Sequence, residues 1–257
     1  MLAGAPPVSV VLDDVEALNS AALQARHALT KISYGAIPVL VDDYRVLRSG
    51  GALGRGCGPL LIARPRPDGS VPALGELPAD ARIAIPGRLT TAYLLLRLAL
   101  GREPRVNVLR FDRIVDAVCR GEADAGLIIH ESRFTYRSSG LECIVDLGEW
   151  WEQQTGNPIP LGAILARRDI GEADAQALNR TIRESLAFAY AHDAQVAPYV
   201  REHAFEMDEA VMRAHIALYV NAYSEDLGDE GIAAVRELFA RAARAGLVAD
   251  GVRPEFV

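Results

Sequence analysis

The amino-acid sequence predicts an α/β protein, either one large unit or two lobes of similar plan, and three observations carry that reading. Between Arg82 and His130, strand-like apolar runs alternate with helix-like runs, the pattern of a parallel sheet covered on both faces. The stretch "RPRPDGSVPALGELPAD", Arg64 to Asp80, is dense in proline, glycine and charge and reads as a linker. One helix-strand unit ends at Ser33 and another at His130, which suggests the two lobes, although no true sequence repeat is visible.

Taken in order, "LDDVEALNSAALQAR" places Val15, Leu18, Ala22 and Leu23 at helical spacing behind a capping Asp13 or Asp14. A short strand follows, Leu29 to Ser33. "AIPVLVDDYRVLRSG" mixes loop with strand, and "GGALGRGCGPLLIAR" is a glycine-rich turn running into an apolar strand, Pro59 to Ala63. Past the linker come the strand "RIAIPG", the helix "TTAYLLLRLALG" closed by Gly101, the strand "VNVLRF", the helix "DRIVDAVCRG" closed by Gly121, and the strand "ADAGLIIH". "PLGAILAR" is a further crossing after Trp150 and Trp151. From Gly171 onward the chain reads as helices almost throughout, with apolar stripes and polar backs that suit packing elements.

The 257 residues exceed a typical domain of ~100–150 residues and suffice for a sizeable core. Half of them are hydrophobic and 24% are charged, as in an ordinary globular protein. A net charge of −7, scattered basic residues and few aromatics argue against a nucleic-acid partner. Cys57, Cys119 and Cys143 show neither a disulfide framework nor zinc-ligand spacing, so no metal is expected. The start "MLAGAPPVSVVLDD" lacks a basic region followed by a long apolar core, and no segment reaches about 18 apolar residues in a row. A cytoplasmic protein with no membrane partner is expected. Monomer and homodimer both stay open.

Ligands of open α/β sheets bind beyond the carboxyl ends of strands, which directs attention to three places. In "HALTKISYG", Lys31 is the only lysine of the chain, and it shares a strand face with Ser33. Either an arginine-biased composition left one lysine by chance, or the site needs a compact ammonium in place of a planar fork. In "IPGRLTTAY" a strand breaks at Pro86-Gly87, and Thr90 or Thr91 stands where a helix cap belongs; free N–H groups there suit a carboxylate, though a threonine cap can be only a cap. His130 ends the apolar run from Ala125 to Ile129, where it can serve as a general base or be a histidine satisfied by loop backbone. His27, His192, His203 and His215 lie on or beside helical patterns and read as surface or packing residues. "GGALGRGCG" lacks the Lys-Ser/Thr ending of a phosphate loop and reads as a turn beside the cleft. Trp150-Trp151 reads as core or hinge packing before a stacking site.

The strings "LTKISY", "RSGGALGRGCGPL", "PGRLTTAY", "AGLIIHESRFTY", "VDLGEWWEQQTG", "PLGAILARRD" and "YVNAYS" run in collinear order through essentially the whole chain. Together they are similar to the MqnD family, the 1,4-dihydroxy-6-naphthoate synthases of the futalosine route to menaquinone. The resemblance implies the two-lobed α/β fold of type II periplasmic solute-binding proteins with a central ligand cleft. It also implies conversion of a carboxylate substrate, cyclic dehypoxanthinylfutalosine, into 1,4-dihydroxy-6-naphthoate by a carbon-carbon lyase. A small sugar-derived fragment leaves and no cofactor takes part. It implies further that Lys31, Ile32 and Ser33 line the substrate site on one lobe, Thr90 and Thr91 bind from the other, and His130 accepts a proton, with Asn19 as an additional binding candidate. On this plan residues 1–69 and 161–257 form a larger lobe and 70–160 a smaller one, with passages between them at Arg64 to Asp80 and at Pro160 to Leu165.

Two departures accompany the resemblance. Leu89 stands where the family has a polar residue, often histidine. The family's opening strand and its Ser-Pro-Cys-Pro-Asn-Asp loop have no counterpart here, from which an in-frame upstream start is expected. Two other readings stay open: a non-enzymatic small-anion-binding protein of the same fold, and the sister enzyme of the pathway that dehydrates chorismate.

Overall fold

The computed structural model describes residues 8–204 and 208–257, so part of the N-terminal stretch read above for an export signal lies outside the described residues. The first helix, α1 (Val15–Leu23), begins at Asp14, whose carboxylate accepts hydrogen bonds from the amides of Glu16 and Ala17. Strand β1 (Leu29–Ser33) runs into a 3-10 turn, Tyr34–Val39, and then β2 (Tyr44–Val46) and β3 (Ala52–Gly54) follow. The chain continues through β4 (Leu60–Ala63), β5 (Ile83–Ile85), α2 (Thr91–Leu100), β6 (Val106–Val108), α3 (Ile114–Cys119), β7 (Ala125–Ile128) and α4 (Ser132–Thr135). After β8 (Glu142–Asp146), α5 (Leu147–Thr155) and β9 (Ile159–Arg167), it closes with α6 (Glu172–Ala191), α7 (Asp193–His203), α8 (Glu209–Tyr219), α9 (Ala222–Glu225) and α10 (Gly228–Arg244).

Two sheets organise these elements. The first is built on the long return strand β9, which pairs antiparallel with β1 on one side and with β2 and β3 on the other. The second has the order β6-β5-β7-β4-β8. Its half β6-β5-β7 is parallel, as predicted, but β4 lies antiparallel between β7 and β8. Periodicity could not reveal this, because a strand buried on both faces reads as one apolar run whichever way it points.

The passages between the sheets also differ from expectation. The chain changes sheet between Gly54 and Leu60, ahead of the expected 69/70 boundary, and returns between Thr155 and Ile159. The Pro/Gly-rich run instead connects β4 to β5 within the second sheet, held by local turns: the Ser70 amide donates to Asp68, and Arg66 pairs with Glu76.

The largest core cluster joins the two layers. Ile32, Tyr34, Leu53, Ile83, Ile85, Leu95, Leu127, Trp151 and Leu165 all belong to it. Trp151 is fully buried with its indole N–H donating to the Pro158 carbonyl, so it is a core residue. Burying side chains of this size contributes about 1.5–3 kcal/mol each. A second cluster, with Ile62, Ala84, Ile114, Val118 and Tyr136, covers the other face of the second sheet. Helix α10 packs as expected through Ala234, Val235, Leu238, Phe239 and Ala242. The segment from α6 to α8 buries less: only Ala175 of α6 and Met212 of α8 are buried, and α7 has no buried residue. Helix α6 lays Ala175, Leu178 and Ile182 on a small third cluster with Leu47 and Ala166, while apolar residues of α7 and α8, among them Val200, Met212 and Ile216, border the cleft.

Candidate functional site

One cleft brings together most of the residues singled out in the sequence. Its inner compartment, about 180 Å³, is lined by Lys31, Ile32, Ser33, Thr90, Thr91 and His130 together with apolar groups such as Ala52, Pro59 and Leu161. An outer compartment of about 550 Å³ opens beyond it toward Phe111, Glu131, Tyr199 and His203. Val15, Lys31, His130 and His215 line both compartments and so form the neck between them. A wider depression of about 730 Å³ beside β8, walled by Phe134, Arg137, Glu149 and Trp150, contains none of the predicted residues.

The end of β1 is fixed from behind. Asn19 is fully buried, its Oδ1 accepts from the Ser33 amide at 2.9 Å, and its Nδ2 donates to Glu16 at 3.0 Å. Asn19 does not line the cavity; it holds Ser33 in place, and its contact with the Ser33 hydroxyl is a long 3.5 Å. That hydroxyl therefore keeps its own proton to donate. Lys31, one strand position earlier on the same face, is exposed, but its open surface looks into the cavity. The surrounding walls desolvate its ammonium and lower its pKa, and no carboxylate pairs with it among the described residues.

Thr90 and Thr91 stand at the start of α2, as predicted, but their hydroxyls are already engaged. Thr90 Oγ1 donates to the Gly87 carbonyl and caps the Tyr93 amide. Thr91 Oγ1 donates to the Leu161 carbonyl at 2.7 Å and accepts from the Gly35 amide at 3.1 Å, bracing α2 against both β9 and the turn after β1. Gly35 is required for that approach, since a Cβ there would lie 2.7 Å from the Thr90 carbonyl. What the helix start still offers a ligand is backbone: the amides of Thr91 and Ala92 have no acceptor among the described residues. With the positive end of the helix dipole, they suit an anion. Leu89, the departure noted above, uses its amide to bond Glu16 from α1.

His130 follows β7 with φ of 58°, a left-handed conformation uncommon outside glycine. The turn places its ring 5.2 Å from that of Phe111 and 6.2 Å from that of His215. Burial, and then repulsion from His215 when it is protonated and from the Lys31 ammonium, push its pKa down to about 4, so the imidazole is neutral near pH 7 and free to accept a proton. The neighbouring loop is held by Arg133, which donates to the Gly58 carbonyl at 2.6 Å and pairs with Asp146, the cap of α5.

Sequence reasoning missed what α8 supplies. His215 and Tyr219, one helical turn apart with rings 4.7 Å from each other, both face the inner compartment. The stripe was visible in "MRAHIALYVN", but an amphipathic helix explains it equally well. Cys57, in the glycine-rich turn, also lines the cavity; burial pushes its thiol up to about 12, which keeps it protonated and a poor nucleophile.

Comparison with known proteins identifies the family and the fold. The menaquinone biosynthesis family profile, VitK2_biosynth, matches residues 2–244. A 1,4-dihydroxy-6-naphthoate synthase from Thermus thermophilus is 54% identical over 98% of this chain and 89% of its own length. One from Streptomyces coelicolor is 44% identical over 95% and 86%. A crystal structure of a protein from Archaeoglobus fulgidus superposes with a TM-score of 0.85 at 37% identity, covering 93% of this chain and 86% of that one. The alkanesulfonate-binding protein SsuA from Xanthomonas axonopodis pv. citri, bound to MOPS, shares the fold at a TM-score of 0.67 and 15% identity, over 92% and 81%.

Proposed function

Because this chain belongs to the menaquinone biosynthesis family, among 1,4-dihydroxy-6-naphthoate synthases, we propose that its cleft is the active site of a carbon-carbon lyase that acts on cyclic dehypoxanthinylfutalosine. The carboxylate is received by the Ser33 hydroxyl and the free amides of Thr91 and Ala92, where charge-assisted hydrogen bonds are strongest. The apolar inner compartment takes the ring system, and the neck carries the reacting bond. There the neutral imidazole of His130 takes up the proton of a hydroxyl carried by one carbon of the scissile bond; that oxygen becomes a carbonyl on the departing fragment as the carbon-carbon bond breaks, and the bonding pair passes to the ring side. Aromatisation of the naphthalenediol drives the cleavage. Lys31 stabilises the negative charge that develops on the ring side. Closure of the two layers about residues 55–59 and 156–158 excludes water.

The observation that carries this reading is the convergence, in one cavity, of an unpaired ammonium, a helix start with free amides and a neutral histidine. Base catalysis of this kind contributes typically about 10²–10⁴-fold. Incubation of the protein with the proposed substrate, followed by mass spectrometry, tests it directly. Formation of the naphthoate is expected; binding without turnover would make the protein a solute binder, and turnover of chorismate would make it the sister dehydratase.

A further inference from the structure

We propose that His215 is a further substrate-touching residue, and that it holds the sugar-derived fragment that leaves rather than the ring that becomes aromatic. The inference rests on the reaction proposed above. Its starting point is the neck: Lys31 and His130 come from the ends of β1 and β7, while the remaining polar side chain of the neck comes from α8, an element of neither sheet. The Nε2 atom of His215 is buried and has no hydrogen-bond partner among the described residues. Buried ring nitrogens are normally partnered, and an unpartnered one at a cavity wall identifies a place where a ligand atom completes the set.

The two compartments differ in a way that assigns the fragment. The inner one, about 180 Å³, has an apolar wall in Ile32, Ala52, Pro59, Ala92, Ile129 and Leu161 and room for little more than a flat ring. The outer one, about 550 Å³, has room for what extends past the ring; its surface is mostly apolar too, with Leu18, Phe111, Met212 and Ile216, but it also carries Asp13, Asp14, Glu131 and His203, which suit hydroxyls and do not line the inner one. A substrate placed with its ring inside and its reacting bond beside His130 extends its polyhydroxylated part past His215. Burial and the nearby Lys31 ammonium favour the neutral ring at His215, which then offers one donor and one acceptor, as a hydroxyl does. An anion is better served by Lys31 or by the α2 amides.

The test compares the unsubstituted protein with His215→Phe, which keeps the ring and loses both nitrogens, and His215→Gln, which keeps a donor and an acceptor. Turnover of the full substrate is measured alongside calorimetric affinity for the naphthoate product, which lacks the fragment. His215→Phe is expected to lower kcat/KM by about tenfold or more, to leave product affinity within about twofold, and to leave the melting temperature unchanged; His215→Gln should recover most of the loss. Unchanged kcat/KM in His215→Phe would overturn the proposal. So would a parallel fall in product affinity, which would move the contact to the ring, and so would a loss in both variants matched by a lower melting temperature, which would make the residue structural. If the unsubstituted protein forms no naphthoate, the underlying reaction is wrong, and the proposal falls with it.

Discussion

The inner wall of the cleft and its neck are built from residues of similar polarity that spend their hydrogen bonds differently. On the inner wall the two threonine hydroxyls are saturated: Thr91 alone ties α2 to Gly35 and to Leu161, and Thr90 caps its own helix. At the neck, Lys31 has no ion-pair partner and His215 Nε2 has no hydrogen-bond partner among the described residues. The wall holds the two layers in register, and the neck keeps valences open for a ligand. Polarity in a cleft therefore does not by itself mark chemistry; the number of bonds already made separates frame from function.

The strongest way to break this contrast is at the neck. His130→Asn should lower kcat by about 10²–10⁴-fold while product affinity stays within about tenfold. Near-native turnover would place the base elsewhere. Thr91→Val tests the wall, because it strands the Gly35 amide and the Leu161 carbonyl. A stability loss of about 1–3 kcal/mol in urea unfolding is expected, and a loss of product affinity without a loss of stability would assign Thr91 to the ligand instead. Ser33→Ala is milder, since its hydroxyl has only the long Asn19 contact to lose. It should weaken product binding by about 0.5–1.5 kcal/mol, or more if the partner is a carboxylate, and leave stability unchanged by calorimetry.

The smallest effect concerns pH. The folded pKa of His130 lies near 4, below the ordinary 6.5, so the unfolded chain binds more protons between those values. The sign follows: this residue costs no stability above about pH 6.5, and stability falls as the pH drops from there toward 4. In the pH dependence of kcat/KM, the acidic limb assigned to His130 should lie near 4 rather than 6.5. A limb that stayed at 6.5 would mean the ring is solvated in the free protein.

Much of the frame was legible because the chain punctuates itself. Asp14 before an apolar-periodic run, Thr90 after Pro86-Gly87, Gly101 with φ of 63° and His130 after four buried strand residues each mark a boundary that depends on neighbours in sequence. The three candidate positions lie at such boundaries, and the structure brings them to one cavity. What escaped depended on distant partners. The direction of β4 is set by the sheet it enters, the cavity role of His215 by where α8 lies, and the work of Asn19 by the Ser33 amide 14 residues on. The engaged state of Thr91 was equally invisible, since Gly35 and Leu161 are 56 and 70 residues away.

Lys31 remains singular in a practical sense. The chain contains no other lysine, and its ammonium faces the cavity at the junction of the two compartments. Growth on isotope-enriched lysine would thus yield a protein with one labelled side chain, and that label would sit inside the cleft. Its resonance would shift on titration with ligand and nothing else in the spectrum would compete with it, and a lysine-directed protease would have a single bond to cut. Composition has turned the site into its own reporter.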